Sequence, residues 1–411
     1  MALAEGVQAT IAYKAYASGT ITANTQDHAP GTGSASYLRR VSSTINLARS
    51  SYQSQEIRTD RQVIDFRLGT KSVGGEISGE LSPSAYFTLI EAAHRDTSVA
   101  QIDLDQSDFT SVAASASGST FTFTSGDPVT LGLRVGDPLR FTGLSEALNN
   151  STNYIVTGFS GTANRVMAVY PPPTDMGADS TFDLSRPGKS TEVPSTSFVS
   201  RKFAFEITNT DRDISRLYTE CRVARYSIQV PASGLVTTSI GIQGRDMMTL
   251  SGGSSPYFVS PTAPGTDGLT AAVNGVILLD GASVGIITGI TINYDMAAET
   301  AAVVGQDFAA EIFLGRSIVT GQLTAYLSDS TLLDSFEAET LISIMLDVTT
   351  TTDADSPLIT IIIPSIKLSS VDVPTQGEGG QLISANFTAL KYTGADPGMP
   401  ETTIRIVDSE A

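Results

Sequence analysis

One stretch of 29 residues is present twice, so any fold assigned to it must be assigned two times over. Residues 65–93 (DFRLGTKSVGGEISGELSPSAYFTLIEAA) and 311–339 (EIFLGRSIVTGQLTAYLSDSTLLDSFEAE) align without a gap at a separation of 246 positions. Nine positions are identical, among them Leu68/Leu314, Gly69/Gly315, Gly75/Gly321 and Ser82/Ser328. The matches fall where a backbone has special needs, with glycines opening a strand and a serine closing it, so a shared fold explains them better than shared composition.

In the first copy Ile77, Gly79 and Leu81 alternate with Glu76, Ser78 and Glu80; in the second Leu323, Ala325 and Leu327 alternate with Gln322, Thr324 and Tyr326. A period of two marks a strand with one apolar and one polar face. Ser82-Pro83 and Ser328-Asp329 then suit a helix start. Tyr86, Phe87 and Ile90 map onto Leu332, Leu333 and Phe336 as the apolar stripe of a short helix. The unit therefore reads as a hairpin leading into a helix that covers the sheet. Upstream, Thr44-Ile45-Asn46-Leu47 matches Thr291-Ile292-Asn293-Tyr294.

A second matching pair, 223–234 and 366–377, shares Val-Pro-x-x-Gly at a separation of 143. The first copy thus holds about 103 residues that the second lacks. Removing 95–197 leaves 36–94 with 198–248, which come to 110 residues, as many as 283–392. The expected organisation is mainly β: an N-terminal arm (1–35), a discontinuous first domain (36–94 and 198–248) and an inserted small β-barrel (95–197). A linker and the start of the second copy (249–282), a second domain (283–392) and a polar C-terminal tail (393–411) follow. Each repeated domain is expected as a sandwich or barrel with its covering helix. Leu133, Val135, Leu139 and Phe141 around Gly136-Asp137-Pro138 read as a strand-turn-strand of the inserted barrel, 185–200 as the returning linker, and 347–355 as a turn between apolar strands.

The chemistry-bearing residues are few. Of two histidines, His28 falls in the arm and His94 at a helix end, neither with a nucleophile partner or metal-ligand spacing. Cys221 is the only cysteine, in a strand-like run, and reads as a small buried apolar residue. Asp103, Asp105 and Asp108 lack the glycine and closing glutamate of a calcium loop. No cofactor and no catalytic or metal site is expected. With Lys+Arg at 25 against Asp+Glu at 43, the net charge of -18 argues against a protein that grips nucleic acid and is compatible with a wall that nucleic acid slides past. No apolar run has the length of a membrane span, and the N-terminus lacks a basic leader, so a soluble intracellular product is expected.

Several segments together resemble one family. The run 56–63 (EIRTDRQV), Arg67-Leu68-Gly69, Val73-Gly74-Gly75, Glu80-Leu81-Ser82 and the Leu89-Ile90-Glu91-Ala92-Ala93 helix resemble the tail tube (major tail) proteins of long-tailed, non-contractile bacteriophages, in a form whose tube domain is duplicated. Gly315-Arg316-Ser317, Val319-Thr320-Gly321, Phe336-Glu337-Ala338-Glu339, Ile363-Pro364 and the 373–379 run Val-Pro-x-x-Gly-Glu-Gly carry the same likeness in the second half. The resemblance covers most of 36–94 and 198–392 and leaves the insertion out.

What the resemblance implies is a non-enzymatic virion protein that polymerises as stacked rings into the tail tube, the channel for delivery of genomic DNA. Its implied partners are further copies of itself, a tape measure protein, and tail terminator and baseplate or tip proteins. Double-stranded DNA would pass without specific binding, and no membrane is involved. The implied location is the virion tail, with assembly in the host cytoplasm. If relatives with one tube domain close a ring with six copies, a chain with two closes it with three, giving a homotrimer of pseudo-sixfold symmetry. Closure also answers a physical need, since exposed sheet edges aggregate.

Two sets of site candidates follow. Glu76, Ser78, Glu80, Gln322, Thr324 and Tyr326 form polar strand faces that line the lumen or else an outer solvated surface. Gln53, Glu56, Arg58, Asp60 and Arg61, in a charged loop, contact an adjacent ring or are simply a solvated hairpin tip; the arms 1–35 and 393–411 are candidates for the same contact. Two other readings are the tube of a phage-like secretion or injection machine and a surface or carbohydrate-binding β protein.

Overall fold

The structure, a computed structural model, describes residues 4–17, 30–284, 286–375 and 379–411; His28 and the Gly377-Glu378 part of the second motif lie outside them. The first repeat contributes strands β1 (Ala9–Ala15), β2 (Asn46–Gln53) and β3 (Phe66–Glu80) and helix α1 (Phe87–His94). After the inserted unit come β4 (Lys189–Glu192), β5 (Phe203–Asn209), β6 (Ile214–Val230), β7 (Thr237–Gly244) and β8 (Asp246–Ser251). The second repeat supplies β9 (Val276–Leu279), β10 (Ile287–Asp295), β11 (Ile318–Tyr326) and helix α2 (Thr331–Glu337). It ends with β12 (Ile342–Thr349), β13 (Leu358–Asp372), β14 (Leu382–Ala389) and β15 (Arg405–Asp408).

Eight strands form one antiparallel sheet in the order β2-β3-β7-β6-β10-β11-β14-β13. Two shorter sheets, β1-β5-β6-β8 and β9-β12-β13-β15-β4, complete the frame. The long strands β6 and β13 belong to both. Their N-terminal halves pair in the shorter sheets and their C-terminal halves in the eight-stranded one, with register shifts at Val223/Arg225 and Leu368/Ser370 where they pass from one to the other. An extra residue bends and twists a strand, which is how strands turn corners between sheets. One core spans the frame: Ile77, Ile240, Tyr226 and Tyr294 from the large sheet cluster with Phe205, Ile207, Ile344 and Leu346 from the short ones.

The two copies repeat this frame pair for pair. Leu47 stands opposite Val73 as Tyr294 stands opposite Val319, and Thr237 opposite Glu80 as Leu382 opposite Tyr326. The register shift at Phe203/Phe205 recurs at Ile342/Ile344. Along β6 and β13 matched positions are 145 apart, since Val223 faces Ile242 as Leu368 faces Phe387. The Val-Pro motif gives 143 because it follows the shared bulge two residues sooner in β13 than in β6. The repeated glycine has a steric reason: at Gly75 (φ 148°) a Cβ would lie 2.6 Å from the Ile45 backbone, and at Gly321 2.3 Å from the Thr291 carbonyl.

The inserted residues form an open array of eight short strands around Phe121, Phe141 and Tyr154, and neither it nor the large sheet closes into a barrel within the chain. Leu133, Val135, Leu139 and Phe141 are all buried, yet only Pro138–Thr142 is strand; Gly136 (φ 86°) and Pro138 keep the preceding residues in turns. The core of the insertion includes Leu278, Met345 and Ile362 of the second repeat. Strands β9, β12 and β13 are therefore covered on two faces, which accounts for a run at 358–363 that is apolar on both faces but for Thr360.

Five expectations are corrected. The N-terminal arm is not loose throughout: β1 pairs with β5 of its own chain from Ala9/Asn209 to Ala15/Phe203. The C-terminal tail contains the buried strand β15, held between β13 and β4, and β4 itself falls in the stretch expected to be linker. Charge in the tail masked its Ile404, Ile406 and Val407, all buried. Asp347 is no turn residue but a buried member of β12. Finally, Ser82 does not cap α1, which starts at Phe87; at α2 it is Asp329 Oδ1 that accepts the Thr331 N–H, at 2.9 Å.

Burial raises the Asp347 carboxyl from 3.8 to about 7, against the Thr360 hydroxyl that donates to it at 3.2 Å, and burial likewise raises Asp408 to about 7. A carboxyl whose folded pKa exceeds its unfolded one adds stability that is complete below the unfolded value and lost as pH rises through the folded one. Unassembled protein should therefore unfold at lower temperature at pH 8 than at pH 5. Asp347→Asn, whose amide oxygen can still accept from Thr360, should flatten that profile by up to roughly 4 kcal/mol, as read by thermal melts across pH.

Candidate assembly surface

Facing pairs place the polar side chains of the large sheet in continuous rows. One runs Glu80, Thr237, Gln229, Thr291, Gln322, Asn386, Ser370 across seven strands; another runs Ser78, Ser239, Ser227, Asn293, Thr320, Thr388. Residues directly opposite in a ladder share a face, so Glu76, Ser78, Glu80, Gln322, Thr324 and Tyr326 lie on one side, and the core residues Ile77, Ile240, Tyr226 and Tyr294 on the other. The pattern arises from alternation alone, repeated in both copies. The face is less acidic than its sequence suggests. Arg225, which the spacing did not single out, brings a nitrogen to 2.7 Å from Glu76 Oε1, while Ser239 donates to Glu76 Oε2 at 3.1 Å. Glu80, Asp295 and Asp372 remain as carboxylates of this face.

The hairpin joining β2 and β3 projects with little support. Gln53 ends β2, and Glu56, Arg58, Asp60 and Arg61 sit in the exposed tip, where Arg58 pairs with Asp60 at 3.2 Å. The limbs carry apolar groups that a solvated loop does not need: Ile57 is fully exposed, and Val63, Phe66 and Leu68 are half exposed or more. The matching hairpin of the second copy, 299–313, behaves differently. Its tip docks on the first repeat, where Lys71 N–H donates to the Asp307 carbonyl at 2.6 Å and Arg245 Nε to the Ala309 carbonyl at 2.6 Å.

That junction is ionic and buried. Glu220 is clamped between Lys202 at 3.0 Å and Arg245 at 2.6 Å, and Lys202 also reaches Glu311 at 3.0 Å. At the two ends of the large sheet no such partner exists among the described residues. β2 pairs only with β3, and the C-terminal half of β13 only with β14.

His94 is buried, with Nε2 2.7 Å from the Tyr226 hydroxyl, and burial pushes its pKa down to about 3; burial also raises the Cys221 thiol. Among the described residues no cluster of three His, Cys, Asp or Glu could hold a metal, and no helix is long and apolar enough to cross a membrane. What the chain offers is a sheet with a polar face and two open edges. A family model described as phage tail tube protein matches residues 6–389. The chain belongs to the phage tail tube protein family. No curated protein matched the sequence.

A phage tail tube protein is a structural component of the virion tail and assembles with further copies of itself. In this tail tube protein the two repeats meet where Glu311 pairs with Lys202 and Arg222 and the Ala309 carbonyl accepts from Arg245, and Glu220, within the first repeat, holds Lys202 and Arg245 in place for those contacts. Removing one member of a buried ion network leaves the others uncompensated. Glu220→Gln should accordingly lower stability by about 3 kcal/mol, measured by denaturant unfolding of the unassembled chain.

Proposed function

We propose that three copies of this chain close a ring of pseudo-sixfold symmetry, and that such rings stack into the tail tube of a long-tailed, non-contractile phage through which genomic DNA is delivered. The observation that carries this reading is the eight-stranded sheet, polar on one face and, among the described residues, unpaired at both ends. Three such sheets joined edge to edge supply about 24 strands; at about 4.8 Å spacing and a tilt of about 40° the backbone diameter is about 48 Å, wider than a DNA duplex. The polar rows then line the lumen, where excess carboxylates over paired cations keep phosphate from binding. Glu56, Arg58, Asp60 and Arg61 at the hairpin tip, with Gln53 at its base, contact the next ring. Tape measure protein inside the tube, and terminator and baseplate or tip proteins at its ends, are the further partners.

Electron microscopy of assembled protein tests the symmetry: three full chains per ring are expected, and six would overturn the proposal. For the lumen, Glu80→Lys with Asp295→Lys should slow DNA ejection and make it depend on salt; unchanged ejection would return the polar rows to an outer surface. Shortening the tip by residues 55–61 should leave rings that do not stack. Deleting 1–35 is no test of stacking, because it removes β1 from the fold.

A further inference from the structure

Resting on the ring assembly proposed above, we infer that the contact between neighbouring chains repeats the contact between the two halves of one chain, in the same register. Inside the chain that contact has two parts. β6 lies against β10 with Arg225 opposite Asp295, Tyr226 opposite Tyr294 and Ser227 opposite Asn293, and the Met296 N–H donates to the Ala224 carbonyl at 2.9 Å. The hairpin that follows β10 then lies on the first repeat, where Glu311 accepts from Lys202 at 3.0 Å and from Arg222 at 3.1 Å.

Each part has a counterpart at the ends of the sheet, where among the described residues no strand of the chain lies alongside it. The shared bulge matches β6 to β13 at a separation of 145, since Arg225 faces Gly241 as Ser370 faces Asn386. The shared pairing to Val73 and Val319 matches β2 to β10 at 247. Carrying the register over sets Ser370 of one copy opposite Ala48 of the next, Val371 opposite Leu47, and Asp372 opposite Asn46. The ladder ends at Pro374, which has no N–H to give. Neither edge is blunted by proline or a bulge over these three pairs, so each is a template for strand addition.

The hairpins supply independent support. Ile312 and Phe66 occupy the same place in the two ladders, opposite Thr300 and Gln53. Ile312, next to the Glu311 that pairs with the first repeat, is 1 % exposed, whereas Phe66 is 50 % exposed. A second copy is the surface that Phe66 lacks. The charges agree as well. Asp65 stands where Glu311 stands, and Lys367 faces Thr388 as Arg222 faces Gln243, so the Glu311–Arg222 pair becomes Asp65 with Lys367 of the next copy. Among the described residues of the single chain, Lys367 meets the exposed Glu339 at 2.8 Å and Asp65 the exposed Arg67 at 3.1 Å, surface pairs that a neighbouring copy can exchange.

Disulfide trapping in the full chain tests the register, Cys221 being buried and out of reach. Asn46→Cys with Asp372→Cys, oxidised after assembly, should give covalent dimers and trimers on a non-reducing gel. Ser227→Cys with Asn293→Cys, the equivalent pair within the chain, should close without joining chains. Tubes by microscopy with the internal disulfide formed but no joined chains would overturn the inference, as would joining by the slipped pair Asn46→Cys with Ser370→Cys. Absence of rings and tubes from the unaltered chain would instead refute the ring assembly itself. Should the cysteine variant not assemble, charge reversal decides: Asp65→Lys or Lys367→Asp alone should raise the critical concentration about tenfold, and the two combined should restore it; no restoration would overturn the inference.

Discussion

A strand edge is a row of backbone donors and acceptors that must be paired, hydrated or covered, and the architecture of this chain follows from where those rows are left open. Inside the chain the problem is solved once, where β6 takes β10 as its neighbour and joins two copies of one fold into a single eight-stranded sheet. Among the described residues that solution leaves the outer edge of β2 and the far half of β13 without a neighbouring strand. A duplicated unit makes the omission informative, because the same surfaces are seen both satisfied and unsatisfied in one molecule.

The frame around that sheet is built to keep it rigid. Long strands that turn from one sheet into another tie them together through continuous backbone, so a bend at Val223/Arg225 or Leu368/Ser370 does the work of a loop without its freedom. The inserted unit, though it interrupts the first repeat in sequence, packs on the second through Leu278, Met345 and Ile362. It acts as a brace across the duplication. Helix α1 is buried, whereas α2 buries no residue and stands over a cleft of about 300 Å³ lined by Leu323, Leu332 and Ile342 among others. The two copies thus share a frame and differ in what covers it.

Much of the frame was legible from residues alone. The hairpin-then-helix unit, its doubling, the strand alternation that sorts Glu76, Ser78 and Glu80 from Ile77 and Gly79, and the buried Cys221 all rest on local periodicity or on repeated text. Local patterns failed where long-range pairing decided the outcome. The strand at Arg405–Asp408 is short and charged at both ends, and only its position between β13 and β4 makes it core. β1 looked like an arm because its partner lies nearly two hundred residues away. Arg225 beside Glu76, which softens the charge of the polar face, joins residues 149 positions apart.

The sequence by itself determined that this protein contains one β unit twice, that each unit has a polar and an apolar face, and that a glycine recurs at positions 75 and 321. Those properties follow from periods of two and from repeated text. Only the tertiary structure decided which edges are joined, which are left open, and that Phe66 is bare where Ile312 is covered. Edge pairing depends on backbone groups that every residue carries alike, so no side-chain pattern records the choice; it becomes visible only when the strands are set side by side.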